Sequence, residues 1–289
     1  MNEVTTIVVG VDGSESATHA VRWAAAVAAS RKFGLRIVHG SGLTAGYYSA
    51  GLPAPQEVFD ALEQEAENVL AAAAETARGV AEDLAVTTSP RNEPPIPLLL
   101  ELSRTARMLV LGASGRGGFA GMRLGSTAIA VAGHAHCPTV VVRGRDEDGP
   151  VVVGVDGSPV GERAIGVAFD EASWRNTPLV AVHAWSDVDY DSTFASSRLF
   201  ADWDALAADE ERLLAQRLAG WQEKYPEVRV ERVVVRDRPR HQLLERSEHA
   251  RLVVVGSRGR GGFAGMLLGS TSQALIQHAN CPVLIVRPE

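Results

Sequence analysis

The chain is short of several things that would place it in a specialised class. Its 289 residues hold only two cysteines, Cys137 and Cys281. Neither has a CxxC neighbour and each precedes a proline and a β-branched run, so they read as reduced core thiols rather than a redox or metal pair. Positive charge is also short: 28 Lys and Arg stand against 35 Asp and Glu, a formal charge of −7. That balance argues against a nucleic-acid partner, whose phosphate backbone asks for a basic surface. Long apolar runs are missing; residues 252–255 have strand length, far below the roughly 20 residues of a membrane span. No basic segment with an apolar stretch and cleavage site precedes the run Ile7-Val-Val-Gly10, so a cytoplasmic protein with no membrane partner is expected. What is present, 46% hydrophobic and 22% charged residues, is an ordinary globular composition.

The chain repeats itself. Ile7-Val-Val-Gly-Val-Asp-Gly-Ser14 returns as Val151-Val-Val-Gly-Val-Asp-Gly-Ser158, and Cys137-Pro-Thr-Val-Val-Val-Arg143 as Cys281-Pro-Val-Leu-Ile-Val-Arg287. Between them, Gly112-Ala-Ser-Gly-Arg-Gly-Gly-Phe-Ala-Gly-Met-Arg-Leu-Gly-Ser-Thr127 returns as Gly256-Ser-Arg-Gly-Arg-Gly-Gly-Phe-Ala-Gly-Met-Leu-Leu-Gly-Ser-Thr271. One offset of 144 residues separates Asp12 from Asp156, Gly112 from Gly256 and Cys137 from Cys281. A constant offset means a duplicated domain. Domains over 1–144 and 150–289 are expected, joined by the polar stretch 144–150.

Periodicity in the first copy predicts strands at 6–11, 35–39, 107–112 and 139–143, and helices at 16–31, 56–83, 97–105 and 126–134. A third strand over 86–95 is broken by Pro90, Pro94 and Pro95, whereas its second-copy counterpart, 228–235, is rich in valine. Strands apolar on both faces, alternating with helices, predict an α/β fold of two tandem doubly wound parallel sheets with helices on both faces. Residues 40–55 and 184–197 read as long loops leaving the second strand of each copy, either candidate lids or tolerated surface loops.

In such a sheet, ligands sit beyond the carboxyl ends of the strands where the strand order reverses. Asp12 and Asp156 end strand one and Gly112 and Gly256 end strand four, so an acid would face a glycine loop across one crevice. The loop spacing is G-x2-G-x9-G-S-T: Gly112, Gly115, Gly125, Ser126 and Thr127, matched by Gly256, Gly259, Gly269, Ser270 and Thr271. Glycines admit close approach of backbone N–H groups to phosphate oxygens, and a helix opening at Ser126 or Ser270 turns its free N–H groups toward the same anion. Charge-assisted hydrogen bonds of roughly 1.5–3 kcal/mol each can together hold a triphosphate without a lysine. Two other phosphate motifs do not fit. The stretch Gly121-Met-Arg-Leu-Gly-Ser-Thr127 lacks the lysine of a P-loop, and the turn after strand one, Gly10-Val-Asp-Gly-Ser14, lacks the dinucleotide fingerprint.

Gly-Val-Asp-Gly-Ser after strand one, a histidine ending strand two at His39 and His183, and the glycine loop after strand four resemble the universal stress protein family, in its tandem ATP-binding form. The resemblance implies five-stranded sheets of order 3-2-1-4-5, ATP as ligand with accompanying Mg²⁺, and a role in stress or growth control. It places Gly10, Asp12 and Gly40, with Gly154, Asp156 and Ala184, around adenine and ribose. The phosphates and their Mg²⁺ fall to Gly112, Ala113, Ser114, Gly115, Arg116, Gly117, Gly118, Gly125, Ser126 and Thr127. In the second copy they fall to Gly256, Ser257, Arg258, Gly259, Arg260, Gly261, Gly262, Gly269, Ser270, Thr271 and Ser272. Asp187, which Leu43 replaces in the first copy, would reach nucleotide or metal, so the two sites need not be equivalent.

Simpler readings stand beside these. Asp12 and Asp156 can serve as helix caps, although Ser14 and Ser158 already fill that place. His39 and His183 suit local hydrogen bonds better than metal, because no second ligand stands at metal spacing. Phe119, Phe263, Met122 and Met266 read as loop anchors, and Trp23, Trp174, Trp203 and Trp221 as helix packing. A nucleotide-dependent regulatory protein, not an enzyme, is the leading expectation, as an intrachain pseudo-dimer and a homodimer of the tandem chain. The alternatives are a slow ATPase or nucleotidyl transferase, with Asp12 or Asp187 on Mg²⁺ and Ser126 or Ser270 near the γ-phosphate, and a dimerisation module with a vestigial cradle.

Overall fold

The structure is a computed structural model, and it describes residues 5–41, 56–115, 125–144, 148–185, 203–260 and 267–288. Contacts divide the chain into two compact units, Met1–Arg143 and Gly144–Pro288. The first runs β1 (Thr6–Gly10), α1 (Glu15–Arg31), β2 (Gly34–Gly40), α2 (Gln56–Val80), β3 (Val86–Arg91), α3 (Pro95–Leu102), β4 (Met108–Gly112), α4 (Ser126–His134) and β5 (Thr139–Val142). The second repeats it as β6 (Val151–Gly154), α5 (Pro159–Arg175), β7 (Leu179–Trp185), α6 (Trp203–Lys224), β8 (Val230–Arg236), α7 (Pro239–Arg246), β9 (Leu252–Gly256), α8 (Ser270–His278) and β10 (Val283–Val286).

Within each unit every strand pair is parallel. The first unit is ordered β3-β2-β1-β4-β5 and the second β8-β7-β6-β9-β10. The expected 3-2-1-4-5 order therefore holds inside each unit. Strands β4, β5, β9 and β10 are buried almost throughout, as a sheet covered on both faces requires. β1 pairs with β2 on one side and β4 on the other, so the chain leaves it in both directions and a crevice opens at the carboxyl ends of β1 and β4.

The prolines that obscured β3 are compatible with it. β3 is outermost in its unit, and Pro90 stands opposite His39, where an edge strand tolerates a missing N–H. α3 begins two residues before the expected start because Pro95 sits in its first turn, where no intrahelical N–H is needed. It ends at Ser103, whose hydroxyl donates to Leu100 O at 2.6 Å and accepts from His136 N at 2.9 Å. Both cysteines are buried and neither is in a disulfide, as expected of core thiols. Of the tryptophans expected in helix packing, Trp23 is buried, but Trp174 is 52% exposed. It lies in the last turn of α5, on the solvent side.

Candidate functional site

The turn after the first strand is held by four hydrogen bonds, two to the neighbouring strand and two local. Val11 N–H continues the sheet to Val38 O at 2.9 Å, and His39 Nδ1 stands 2.8 Å from Val11 O. A carbonyl only accepts, so that ring nitrogen carries the hydrogen. The chain then turns at Gly13, φ 78°, a left-handed conformation that glycine adopts without strain. Ser14 closes the turn: its N–H donates to Asp12 Oδ1 at 3.0 Å, while its Oγ caps α1 by accepting from Ala17 N at 3.1 Å. The second copy repeats each feature, with His183 on Val155 O at 2.7 Å, Gly157 at φ 74° and Ser158 on Asp156. Serine is thus the cap and histidine the local brace, as the residue types suggested, which leaves the aspartate facing the crevice.

Opposite, the glycine loop leaves β4. Ala113 N–H pairs with Val142 O at 3.1 Å, and its carbonyl accepts from Gly125 N at 2.8 Å. Ser257 does the same with Val286 O at 2.6 Å and Gly269 N at 2.8 Å. Ala113 and Ser257 therefore tie the two ends of the loop together. Ser272 is buried, and its hydroxyl donates to Gly256 O at 2.7 Å.

The glycines have distinct reasons. A Cβ on Gly112 would stand 2.6 Å from Ser16 Oγ and backbone, so α1 itself requires the glycine there. A Cβ on Gly115 would meet Asp12 Oδ2 at 2.5 Å, and one on Gly259 would meet Asp156 Oδ2 at 2.7 Å. The second glycine of the motif and the acid after strand one are therefore one packed unit across the crevice. In the second copy, Arg260 N–H donates to Asp156 Oδ2 at 3.0 Å, completing the lock. Gly125 and Gly269 occupy the N-caps of α4 and α8, where neither offers a side-chain oxygen. The first N–H groups of those helices thus keep no side-chain cap, unlike those of α1 and α5.

In the first unit these elements enclose a cavity of about 340 Å³, within the usual range of small-molecule sites. Of the expected residues, Gly10, Asp12, Gly40, Gly112, Ser114, Gly115, Gly125, Ser126 and Thr127 line it. The apolar wall was not foreseen: Val38, Pro95, Leu98, Leu99 and Leu111. Its marker was the run Pro95-Ile-Pro-Leu-Leu-Leu100, read only as a helix. Gly10 admits that wall, since a Cβ there would stand 2.7 Å from Leu111 Cδ2 and 3.2 Å from Leu99 Cδ2. No lysine or arginine lines the cavity among the described residues.

The second unit differs at defined points. A Cβ at Gly40 would meet Glu93 O at 2.8 Å and Pro95 Cα at 2.9 Å, so the chain entering α3 closes on Gly40. Ala184 carries a Cβ at the matching position. His183 is buried and its Nε2 lies 2.9 Å from Glu210 Oε2 on α6; position 66, the matching place in α2, is alanine. Because Nδ1–H is already donated to Val155 O, the Nε2 contact itself needs a proton, held by the ring or the carboxyl. Arg258 and Arg260 are described, while Arg116, Gly117, Gly118, Asp187, Gly261 and Gly262 lie outside the described residues, as do Phe119, Phe263, Met122 and Met266.

The model of the universal stress protein family matches residues 3–143 and again 149–287. The universal stress protein Rv2623 of Mycobacterium tuberculosis strain H37Rv is 42% identical over 294 residues, covering 97% of this chain and 96% of the relative. Rv2005c of the same strain is 43% identical over 290 residues, with the same coverage. A crystal structure of a universal stress protein from Archaeoglobus fulgidus shares the fold at a TM-score of 0.69 and 17% identity, covering 98% of this chain and 96% of that one. A doubly wound tandem repeat with a glycine loop facing an aspartate defines the class, and the chain belongs to the universal stress protein family.

Proposed function

We propose that each unit binds ATP with its accompanying Mg²⁺, and that the chain acts as a nucleotide-dependent regulatory protein in stress or growth control. The observation that carries this reading is the cavity in which an apolar wall faces uncapped helix N–H groups. Adenine suits Val38, Leu98, Leu99 and Leu111; the phosphates suit the N–H groups and hydroxyls at Gly125, Ser126 and Thr127. Mg²⁺ would lower the phosphate charge beside Asp12, the one carboxylate among the lining residues. The glycine packing at Gly115 keeps that carboxylate against the loop.

The proposal is binding without rapid turnover: Asp12, the carboxylate described at the cavity, has its Oδ1 engaged by the Ser14 N–H. The alternative, slow ATP hydrolysis or nucleotidyl transfer, rests on Asp12 acting through Mg²⁺. We assign the protein to the cytoplasm and to a homodimer of the tandem chain, the latter checked by light scattering with and without nucleotide.

The test is to denature protein purified without added nucleotide, identify what is released, and follow added Mg²⁺-ATP over hours. Co-purified or retained ATP that stays intact agrees with the proposal. Steady ADP production favours the slow enzyme, and no release and no uptake of nucleotide leave the cradle vestigial.

A further inference from the structure

A cluster of charge in the second unit is matched only in part by the first, which has Arg116 at the place of Arg260 but neither Arg217 nor Glu162. Arg217, on α6, projects over the Asp156–Gly157–Ser158 turn, where a Cβ on Gly157 would stand 2.5 Å from its Nη2 and would collide with Arg260 Nη2 as well. Two guanidinium groups from separate elements thus converge on one left-handed glycine. Arg217 also pairs with Glu162 on α5. The matching residues of the first unit are Ala73, which is buried, and Thr18. An arginine and a glutamate have therefore entered together at the rim of one cradle only.

At this turn two guanidiniums, Arg217 and Arg260, stand with two carboxylates, Asp156 and Glu162. Glu162 neutralises Arg217, whereas the Asp156 carboxylate receives the backbone N–H of Arg260 and two donors from Ser158. Among the described residues, the Arg260 guanidinium has no ion-pair partner. Arg258, two residues earlier in the same loop, lies close enough to Arg287 for its charge to help lower that guanidinium's pKa, after burial. The two guanidiniums and two carboxylates at the turn cancel, and Arg258, whose counterpart in the first unit is Ser114, adds a positive charge to the loop beside them. Adjacent guanidiniums repel in the absence of an anion, and planar forks of N–H donors suit phosphate oxygens.

We propose that Arg217 is a ligand-charge reader of the second site, which with Arg260 receives the terminal phosphates of the bound nucleotide. The second unit then prefers ATP over AMP more steeply than the first. This rests on the nucleotide reading above. Glu162 holds Arg217 in place when those phosphates are absent and competes with them when they are present. The two variants therefore have opposite effects: Arg217→Ala removes the reader, while Glu162→Gln releases it.

The experiment labels the full-length protein with 8-azido-ATP, maps the label to peptides of each unit by mass spectrometry, and competes it with unlabelled ATP or AMP. In the second unit, Arg217→Ala is expected to lower the preference for ATP over AMP by about tenfold, the worth of one charge-assisted bond. Glu162→Gln is expected to raise it, and both should leave the first unit unchanged. A strap between α5 and α6 with no ligand role predicts otherwise: both variants lower stability and leave the ATP-to-AMP ratio alone, and that outcome overturns the proposal. Loss of specific labelling in both units of the wild-type chain overturns the nucleotide reading itself, and this proposal with it.

Discussion

At Gly115 a single hydrogen in place of a side chain lets the Asp12 carboxylate rest against the glycine loop. Gly115→Ala and Asp12→Ala should each weaken nucleotide at the first site by about tenfold or more, through loss of the positioned loop, and leave the second site intact. Site-resolved photolabelling reads both. Gly112→Ala is a different case, because the added methyl strikes Ser16 in α1. It should lower stability as well as binding. The thiols make an independent check. Burial pushes the Cys137 thiol up to about 12, so it should stay unlabelled by a thiol reagent at pH 8 until the chain unfolds. At the entry to α7, Asp237 accepts from His241 Nδ1 at 2.6 Å and from Gln242 Nε2 at 2.8 Å. These bonds hold its carboxyl down at about 2 and, with the carboxylate charge, raise the imidazole. The aspartate's contribution is present above its ordinary value of 3.8 and fades as pH falls through about 2. That of the histidine is present below its ordinary 6.5 and fades as pH rises through the raised value. Asp237→Asn should return the His241 midpoint toward its ordinary value in an NMR titration.

Gly166 in α5 and Gly220 in α6 have opposite roles. A Cβ on Gly166 would strike the ring of Trp221, which stacks on Phe169 with centroids 6.3 Å apart, whereas Gly220 has nothing within 4 Å. Gly166→Ala is therefore expected to cost about 1–3 kcal/mol from overpacking, and Gly220→Ala to add about 0.5–1 kcal/mol by helix propensity. Urea midpoints compare them. At this scale the sequence was legible wherever one physical effect dominated. α4 ran from Ser126 to His134 as its glycine cap and apolar spacing implied. β3 was hard to read because its prolines are acceptable only at a sheet edge, and edge position is a property of the pairing. Trp174 was misplaced because helical spacing did not distinguish the solvent-facing side of the last turn from the buried one.

Across the whole molecule, the repeat made the domain duplication legible, the alternating elements the parallel sheets, and the family resemblance the strand order. The apolar wall was less so, because α3 faces the cavity only once β1, β2 and β4 are aligned beneath it. Differences between the copies lie both in the glycine loop, Arg258 against Ser114, and outside the motifs: Glu210 against Ala66, Arg217 against Ala73 and Ala184 against Gly40. On the proposed reading they give the two sites unequal surroundings. Calorimetric titration of the nucleotide-stripped full-length protein with Mg²⁺-ATP tests that account most directly. It predicts two binding events per chain with unequal affinities, the one at the first unit weakened about tenfold or more by Gly115→Ala; a titration with no binding at either site would contradict it.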